Sequence, residues 1–286
     1  LWEAVGDDSG APIQLAPLRR HRSVSAHYRV PTDRRGVVEL GPLRVERTDL
    51  LGLARRATFV GRTDSVLVLP RTVDLAFPGL ESRGALGEHL RLRAWSTSGT
   101  EFHSQREYVP GDDLRRINWK SSARSGELIV RESAREGVRQ CVVVLDLATA
   151  SYADELDVET AVSTAASVVR AAEAAGVATR FLAHGADLRG LAITAQTTHW
   201  LATATTTLRT DPLVIGAHSD GLSLVVAITG AHGEAAIDSI RSQCGPDDTV
   251  VTVRADATSS DTDRSFAIHG TDLDSVADAW HRLVGR

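Results

Sequence analysis

The run RQCVVVLD, residues 139–146, decides the fold that this sequence predicts. A continuous apolar run that ends on an acid is typical of a strand buried on both faces of a parallel sheet. An alanine-rich stretch with helical spacing follows over residues 155–175, and the apolar run GVATRFLAH begins at residue 176. A strand, a helix and a second strand in this order predict a parallel βαβ unit.

The alternation continues along the chain. Helices are predicted over residues 196–208, 234–244 and 272–284, with strands over 222–229 and 248–254. Repeated alternation of strand and helix favours one sheet covered by helices on both faces. We therefore predict an α/β domain over residues 137–286, with a doubly wound, mostly parallel sheet.

The N-terminal region has another pattern. Residues 13–70 contain short alternating stretches, separated by Gly, Pro and Asp: VSAHYRV (24–30), GVVELGPLRVER (36–47), ATFVG (57–61) and SVLVLP (65–70). Period-two alternation with frequent turn residues predicts an all-β sandwich over residues 1–75. Periodicity fades between residues 71 and 99, so this stretch, including FPGLESRGALGEHL (77–90), is predicted to be a connector or mobile loop. Residues 76–136 then comprise this connector and the charged segment that follows it.

Composition excludes several function classes. A formal charge of −5 and a pI near 6.1 argue against a general nucleic-acid binder. Nucleic-acid binding, kept as a further alternative, would use RLRAW (91–95) and the 115–124 segment, where basic and aromatic residues interleave. Cys141 and Cys244 form no CxxC pair, so neither a disulfide framework nor a zinc site is indicated, and a reducing compartment fits. The sequence contains no GxxxxGK[ST], GxGxxG or GxSxG motif, which argues against nucleotide binding and against a hydrolase nucleophile elbow in this chain.

The segment REYVPGDDLRRINWKSSAR, residues 106–124, concentrates the charged residues that need an explanation. Its acids and bases nearly balance, so mutual pairing is expected, with Asp112 or Asp113 held by arginine forks. Asp112 or Asp113 would also cap a helical turn over residues 114–124. The residues that we assign to this network, or to a partner-binding site, are Arg106, Asp112, Asp113, Arg115, Trp119, Lys120, Arg124 and Arg131.

Three interpretations of this segment stay open. In the first, the network braces the junction between the two domains. In the second, one side of it, formed by Arg115, Lys120 and Arg124, receives carboxylates or a phosphate from a partner. In the third, Asp112 and Asp113 act with His103 as acid-base groups of an enzyme.

The pattern RxYxPGDDxRxIxWxxxARxGxLxVR, residues 106–131, resembles the signature of the bacterial domain of unknown function 58 family. The resemblance extends to a β-rich region upstream and a von Willebrand factor A-like α/β domain downstream. In that family the soluble portion usually follows two membrane-spanning helices, and the genes commonly neighbour those of MoxR-type AAA+ ATPases.

The resemblance implies a function as well as a fold. The sequence has no methionine, so we expect it to be part of a longer protein whose other segment supplies a membrane anchor. We expect a non-catalytic scaffold or adaptor at the cell membrane, facing the cytoplasm, that docks protein partners such as a MoxR-type ATPase and binds no nucleic acid. The alternative is a hydrolase-type enzyme that uses the acids and arginines of residues 106–131.

Asp146 is the candidate metal ligand. It lies at the predicted carboxyl end of a strand, where ligand sites of α/β sheets form, and in von Willebrand factor A-like domains this position begins a DxSxS motif that holds a divalent cation. Here Ala148 and Ala150 replace the two serines, and Thr149 and Ser151 lie one position away. The residues after the strand at 222–229 are Thr229-Gly230-Ala231 rather than an acid. We therefore expect no cofactor, with Mg²⁺ the only candidate, and expect Asp146 to cap the next helix or pair with an arginine.

Overall fold

The computed structural model describes residues 2–5, 13, 15, 21, 23–49, 51–97, 104–109, 117–132, 137–216, 222–255 and 266–285. The chain forms two compact units: residues 1–71 with 198–205, and residues 72–197 with 206–286. The predicted boundaries near residues 75 and 136 stay a prediction.

The first unit contains an antiparallel sheet of four strands: β1 (Trp2–Val5), β2 (Gly36–Thr48), β3 (Arg55–Val60) and β4 (Asp64–Val68). Strand β2 is long enough to pair with all three others. The prediction of β-structure in this region is confirmed, since the described strands form one antiparallel sheet. The second sheet that a sandwich requires stays a prediction. Residues 24–30, predicted to be a strand, belong to none; they are almost entirely exposed and pair with no neighbouring strand.

The rest of the chain alternates helices and strands. In chain order these are α1 (Ala85–Thr97), β5 (Ser104–Glu107), α2 (Trp119–Ser125), β6 (Ile129–Glu132), β7 (Gln140–Leu145), α3 (Glu155–Ala174), β8 (Ala178–Ala183), β9 (Ala186–Gly190), α4 (Thr194–Thr203), β10 (Ser223–Gly230), α5 (Glu234–Gln243), β11 (Asp248–Ala255), β12 (Ala267–Gly270) and α6 (Leu273–Val284). Strands β5 and β6 form a separate two-stranded ladder. Within the described residues, no helix is long and apolar enough to span a membrane.

The main sheet of the second unit has six strands in the order β12-β11-β10-β7-β8-β9. Strand β9 is antiparallel to β8, and every other pairing is parallel. The predicted mostly parallel sheet is therefore confirmed, although the short strands β9 and β12 were not predicted. The chain leaves β7 toward β8 on one side and later returns to β10 on the other, which places a topological switch point between β7 and β10.

Both faces of this sheet are covered. Every residue of β7 from Cys141 to Leu145 is fully buried. Val142 and Val144 belong to an apolar cluster with Ile215 and with Ile240, which lies in α5. Helix α3 packs against β7, β8, β10 and β11. Complete burial of alternate residues on both faces explains why this strand is apolar throughout.

Helix α1 corrects the prediction of a connector or mobile loop over residues 71–99. Leu86 and Leu90, one helical turn apart, are fully buried, and α1 packs on α6. At the start of α1 the Gly84 N–H donates to the Val284 carbonyl at 2.9 Å. A Cβ on Gly84 would lie 2.2 Å from a backbone oxygen, so glycine permits this close approach. The indole N–H of Trp280 donates to the carbonyl of Ala76 at 2.8 Å.

Candidate functional site

Asp146 lies at the switch point, directly after β7. Its backbone N–H extends the ladder by donating to the Ile228 carbonyl of β10 at 2.9 Å. The side chain is buried. A buried carboxylate requires hydrogen-bond donors, because removing an unpaired charge from water is costly.

Three donors satisfy the Asp146 carboxylate. Oδ1 accepts from the backbone N–H of Ala148 at 2.9 Å. Oδ2 accepts from the hydroxyls of Ser151 at 2.5 Å and Thr229 at 2.9 Å. The backbone carbonyl of Asp146 also accepts from the phenol of Tyr152. The residue therefore joins the segment after β7 to the end of β10, and we call this set of contacts the Asp146 brace.

The segments on either side of the Asp146 brace are also joined directly. The backbone N–H of His232 donates to the carbonyl of Ser151 at 3.0 Å. A Cβ on Gly230 would lie 2.3 Å from that same oxygen, and one on Gly233 would lie 1.8 Å from the Thr229 hydroxyl. Two glycines thus allow the chain between β10 and α5 to close over the hydroxyls.

The expected partners of Asp146 were wrong. Helix α3 is capped by Asp154, whose side chain accepts from the backbone N–H of Asp157 at 2.9 Å, and the described contacts of the Asp146 carboxylate include no arginine. Ser151 was expected on the other side of an extended segment. Instead residues Thr149–Ser151 form a short 3₁₀ helix, which turns the Ser151 hydroxyl back toward Asp146.

The donor set at Asp146 is a poor match for a divalent cation. Mg²⁺ favours several oxygen ligands, usually with more than one negative charge. Here a single carboxylate already accepts three hydrogen bonds, and alanines occupy positions 148 and 150. Among the residues that the structure describes, no three His, Cys, Asp or Glu side chains lie close enough to hold a metal ion.

A cleft of about 290 Å³ opens beside the Asp146 brace, at the carboxyl ends of β7, β8 and β10. Four alanines leave room in it, two after β7 and two in the first turns of α5. His184 and His232 also line it. The Nε2 atom of His184 lies 2.9 Å from the carbonyl of Asp211, which can only accept, so this nitrogen is the donor. Neither histidine could be found from the sequence, because only the parallel pairing brings the ends of β8 and β10 together.

Both cysteines lie in the described residues and are free. Cys141 is a buried apolar residue of β7, as predicted, and burial raises the pKa of its thiol to about 12. Burial, with the nearby charge of Asp248, raises the pKa of the Cys244 thiol to about 11. Neither thiol has the thiolate character of a nucleophile.

The signature segment forms a compact strand-helix-strand element. Strands β5 and β6 pair antiparallel, and Ile117 forms a bridge with Val130 of β6. The N–H of Ile129 donates to the Ser122 hydroxyl of α2 at 2.8 Å. Ile117, Ser122 and Val130 are buried, so these contacts fix α2 against β6.

Asn118 caps this helix. Its Oδ1 accepts from the backbone N–H of Ser121 at 3.3 Å, and its own N–H donates to the Ile129 carbonyl at 2.8 Å. We had expected an aspartate of the PGDD turn to provide the cap. The better signal was local, because Asn directly before a helical stretch is among the preferred capping residues.

The opposite side of α2 is exposed. Trp119 is 66% exposed, and Lys120 and Arg124 are exposed one turn apart. Within the described residues neither cation has an ion-pair partner. Like charges four residues apart on a helix repel each other, so none of the contacts among the described residues accounts for this arrangement. We call Trp119, Lys120 and Arg124 the α2 surface.

The other predicted site residues are only partly described. Arg106 lies in β5 and Arg131 in β6, where the backbone alone is described. Asp112, Asp113, Arg115 and His103 lie outside the described residues. The predicted ion-pair network therefore stays a prediction, and the structure brings Trp119, Lys120 and Arg124 together on one short helix.

Comparison with known proteins agrees with the signature. The model of the family described as "Protein of unknown function DUF58" matches residues 104–227, from β5 into β10. The uncharacterized protein YeaD of Bacillus subtilis (strain 168) is 24% identical over 176 residues, which cover 62% of this chain and 44% of that protein. The matched region thus spans less than half the length of this relative. No solved structure matches the chain.

Proposed function

We propose that this chain is a member of the DUF58 family and forms the soluble part of a membrane-anchored, non-catalytic scaffold that docks protein partners. The membrane anchor lies in another segment of the protein, and this part faces the cytoplasm. The observation that carries the proposal is the α2 surface, an exposed tryptophan beside two cations on a helix that buried contacts hold in place.

The α/β domain has a von Willebrand factor A-like fold in this proposal. Its support is the strand order and an aspartate directly after the first strand of the sheet, at the switch point. The Asp146 brace corresponds to a degenerate cation site, in which hydroxyls bind the carboxylate rather than a metal. The domain therefore offers a rigid support for docking.

The partner is a protein with an acidic, partly apolar surface. A large aromatic side chain fixed on a helix is the type of residue that contributes most binding energy at interfaces. Two neighbouring cations that form no ion pair with any residue that the structure describes favour carboxylates on the partner. A MoxR-type AAA+ ATPase is the candidate partner.

The test measures the affinity of the purified chain for a purified MoxR-type ATPase from the same source. Trp119→Ala is expected to raise Kd by roughly 30-fold, because removal of an interface hot spot costs about 2 kcal/mol. Arg124→Glu is expected to weaken binding and to reduce its dependence on salt.

Each variant has a matched control. Leu208→Ala removes an exposed apolar side chain elsewhere, and Arg282→Glu reverses an exposed cation in the last turn of α6, as Arg124 lies in the last turn of α2. Both controls are expected to bind as the wild type does. If Trp119→Ala and Arg124→Glu also bind like the wild type, the α2 surface is not the docking site.

A further inference from the structure

The turn that joins β2 to β3 in the first unit is ordered by its own hydrogen bonds. The backbone N–H of Asp49 donates to the Ala54 carbonyl, and that of Gly52 donates to the Asp49 carbonyl, both at 3.1 Å. The Asp49 carboxylate accepts from the N–H of Ala54 at 3.1 Å. Gly52 has φ of 72°, a conformation that favours glycine. The turn therefore presents its side chains in a defined arrangement.

Two leucines at this turn point away from the unit. Leu51 is 78% exposed and Leu53 is 83% exposed. A single exposed leucine is ordinary on a protein surface, whereas two at the tip of an ordered turn form an apolar projection. Their exposure contributes nothing to folding, because neither is removed from water.

Arginines surround the base of this projection. Arg47 and Arg56 stand directly opposite each other in the β2–β3 ladder, and Arg55 is the next residue. Like charges at directly opposed positions of an antiparallel pair are destabilising. Arg55 lies 3.9 Å from Glu46, while Arg47 and Arg56 have no ion-pair partner among the described residues. The only acid in the turn, Asp49, already accepts a backbone N–H.

We infer that this turn is a peripheral membrane-binding element for anionic lipid. Leu51 and Leu53 enter the boundary between headgroups and acyl chains, and Arg47, Arg55 and Arg56 bind the lipid phosphates from the rim. The exposed leucines with arginines around them match a bilayer whose interior is apolar and whose headgroup layer is anionic. A guanidinium binds phosphate through paired hydrogen bonds. Single-stranded nucleic acid would require aromatic stacking surfaces rather than leucines.

The charge complementarity favours lipid over a protein partner. A protein partner would need an apolar pocket with acidic groups placed around it. An anionic bilayer has an apolar interior beneath a negatively charged headgroup layer at every point of its surface. This inference rests on the first unit alone and does not depend on docking at the α2 surface. Either can fail while the other holds.

The test is co-sedimentation of the 286-residue chain with vesicles of phosphatidylcholine, with and without phosphatidylserine. We expect binding to the vesicles that contain phosphatidylserine and little binding to the others. Leu51→Ser with Leu53→Ser is expected to weaken partitioning roughly 100-fold, about tenfold for each leucine. Arg47→Gln with Arg56→Gln is expected to weaken it roughly 25-fold, about fivefold for each arginine.

The control is Leu208→Ser, which changes a similarly exposed leucine far along the chain and is expected to bind vesicles like the wild type. Thermal melting checks that each variant is folded, and because all the changed side chains are exposed, unaltered melting is expected. Three results overturn the inference: no binding of wild type to either vesicle, equal binding to both vesicles, or retained binding after both leucines are replaced. A protein partner at this turn would give the first of these.

Discussion

Replacement of Asp146 tests whether the carboxylate supports the fold or binds a metal. Asp146→Ala removes the acceptor of the Ala148 N–H and of the Ser151 and Thr229 hydroxyls. An unsatisfied buried donor costs about 1–3 kcal/mol. The two hydroxyls can rotate toward other acceptors, but the backbone N–H cannot. We therefore expect a loss of about 3 kcal/mol in the free energy of unfolding.

The assay is urea denaturation, with and without added Mg²⁺. Asp146→Asn keeps one carbonyl oxygen as an acceptor, so it is expected to cost less than Asp146→Ala. Asp154→Ala is the control, because Asp154 caps α3 outside the Asp146 brace, and loss of such a cap costs about 1 kcal/mol. Magnesium is expected to leave the wild-type midpoint unchanged. A bound cation at 100 times its Kd would add about 2.7 kcal/mol.

Two outcomes would refute the Asp146 brace. One is an Asp146→Ala variant as stable as the wild type, which would mean that the three contacts stabilise nothing. The other is a wild-type protein that gains stability with Mg²⁺ while Asp146→Ala does not. That result would make Asp146 a metal ligand.

Two further predictions concern buried groups of the second unit. Arg189 and Arg180 hold the pKa of Asp187 well below its usual range by hydrogen bonding its carboxylate. The ionised carboxylate therefore stabilises the folded protein above about pH 4, and this contribution is lost as the pH falls. Asp187→Asn is expected to lower the free energy of unfolding by about 2 kcal/mol at neutral pH in denaturant titrations, because it leaves the Arg180 guanidinium, 8% exposed, without a counter-charge, whereas Asp187 itself is 40% exposed. The difference in stability from wild type should shrink in acid, and a difference that does not change with pH would contradict the role of the ionised carboxylate. Cys141 is expected to resist alkylation until the protein unfolds, since its thiol is buried with a pKa of about 12; mass spectrometry of native protein should find Cys141 unmodified, and rapid labelling would show that β7 opens.

The sequence was sufficient where local pattern and tertiary burial agree. The apolar run of β7 reads as a strand buried on both faces, and every residue of it is buried. Helix α3 was predicted over residues 155–175 and ends at Ala174, because helix-forming residues follow a capping aspartate at 154. In both cases the residues that specify the element lie within it.

The sequence was insufficient where a distant part of the chain decides. Residues 24–30 alternate like a strand, yet they belong to none of the described sheets. Helix α1 was not predicted, because the glycines at positions 84 and 87 disfavour a helix. It is stabilised by packing of Leu86 and Leu90 in the core. Glycine in a helix argues against the helix locally, and burial of the two leucines in the folded protein offsets that cost.

The candidate site shows the same limit. The position of Asp146 was predicted from the end of an apolar strand, but its partners come from a 3₁₀ turn and from β10. No spacing rule places Ser151 and Thr229 on one carboxylate oxygen. On the α2 surface, the sequence named Lys120 and Arg124 as part of a side that faces a partner, but it did not predict that Asn118 caps the helix or that Trp119 is exposed beside these cations.

The tie between Trp280 and Ala76 has a consequence for how the protein is made. These residues are 204 positions apart in the chain. At a synthesis rate of about 5–20 residues per second, the ribosome needs roughly 10–40 s to produce the second partner after the first. During that interval Leu86 and Leu90 have no α6 to cover them. The nascent chain is therefore expected to depend on a chaperone that shields the α1 region until synthesis reaches α6.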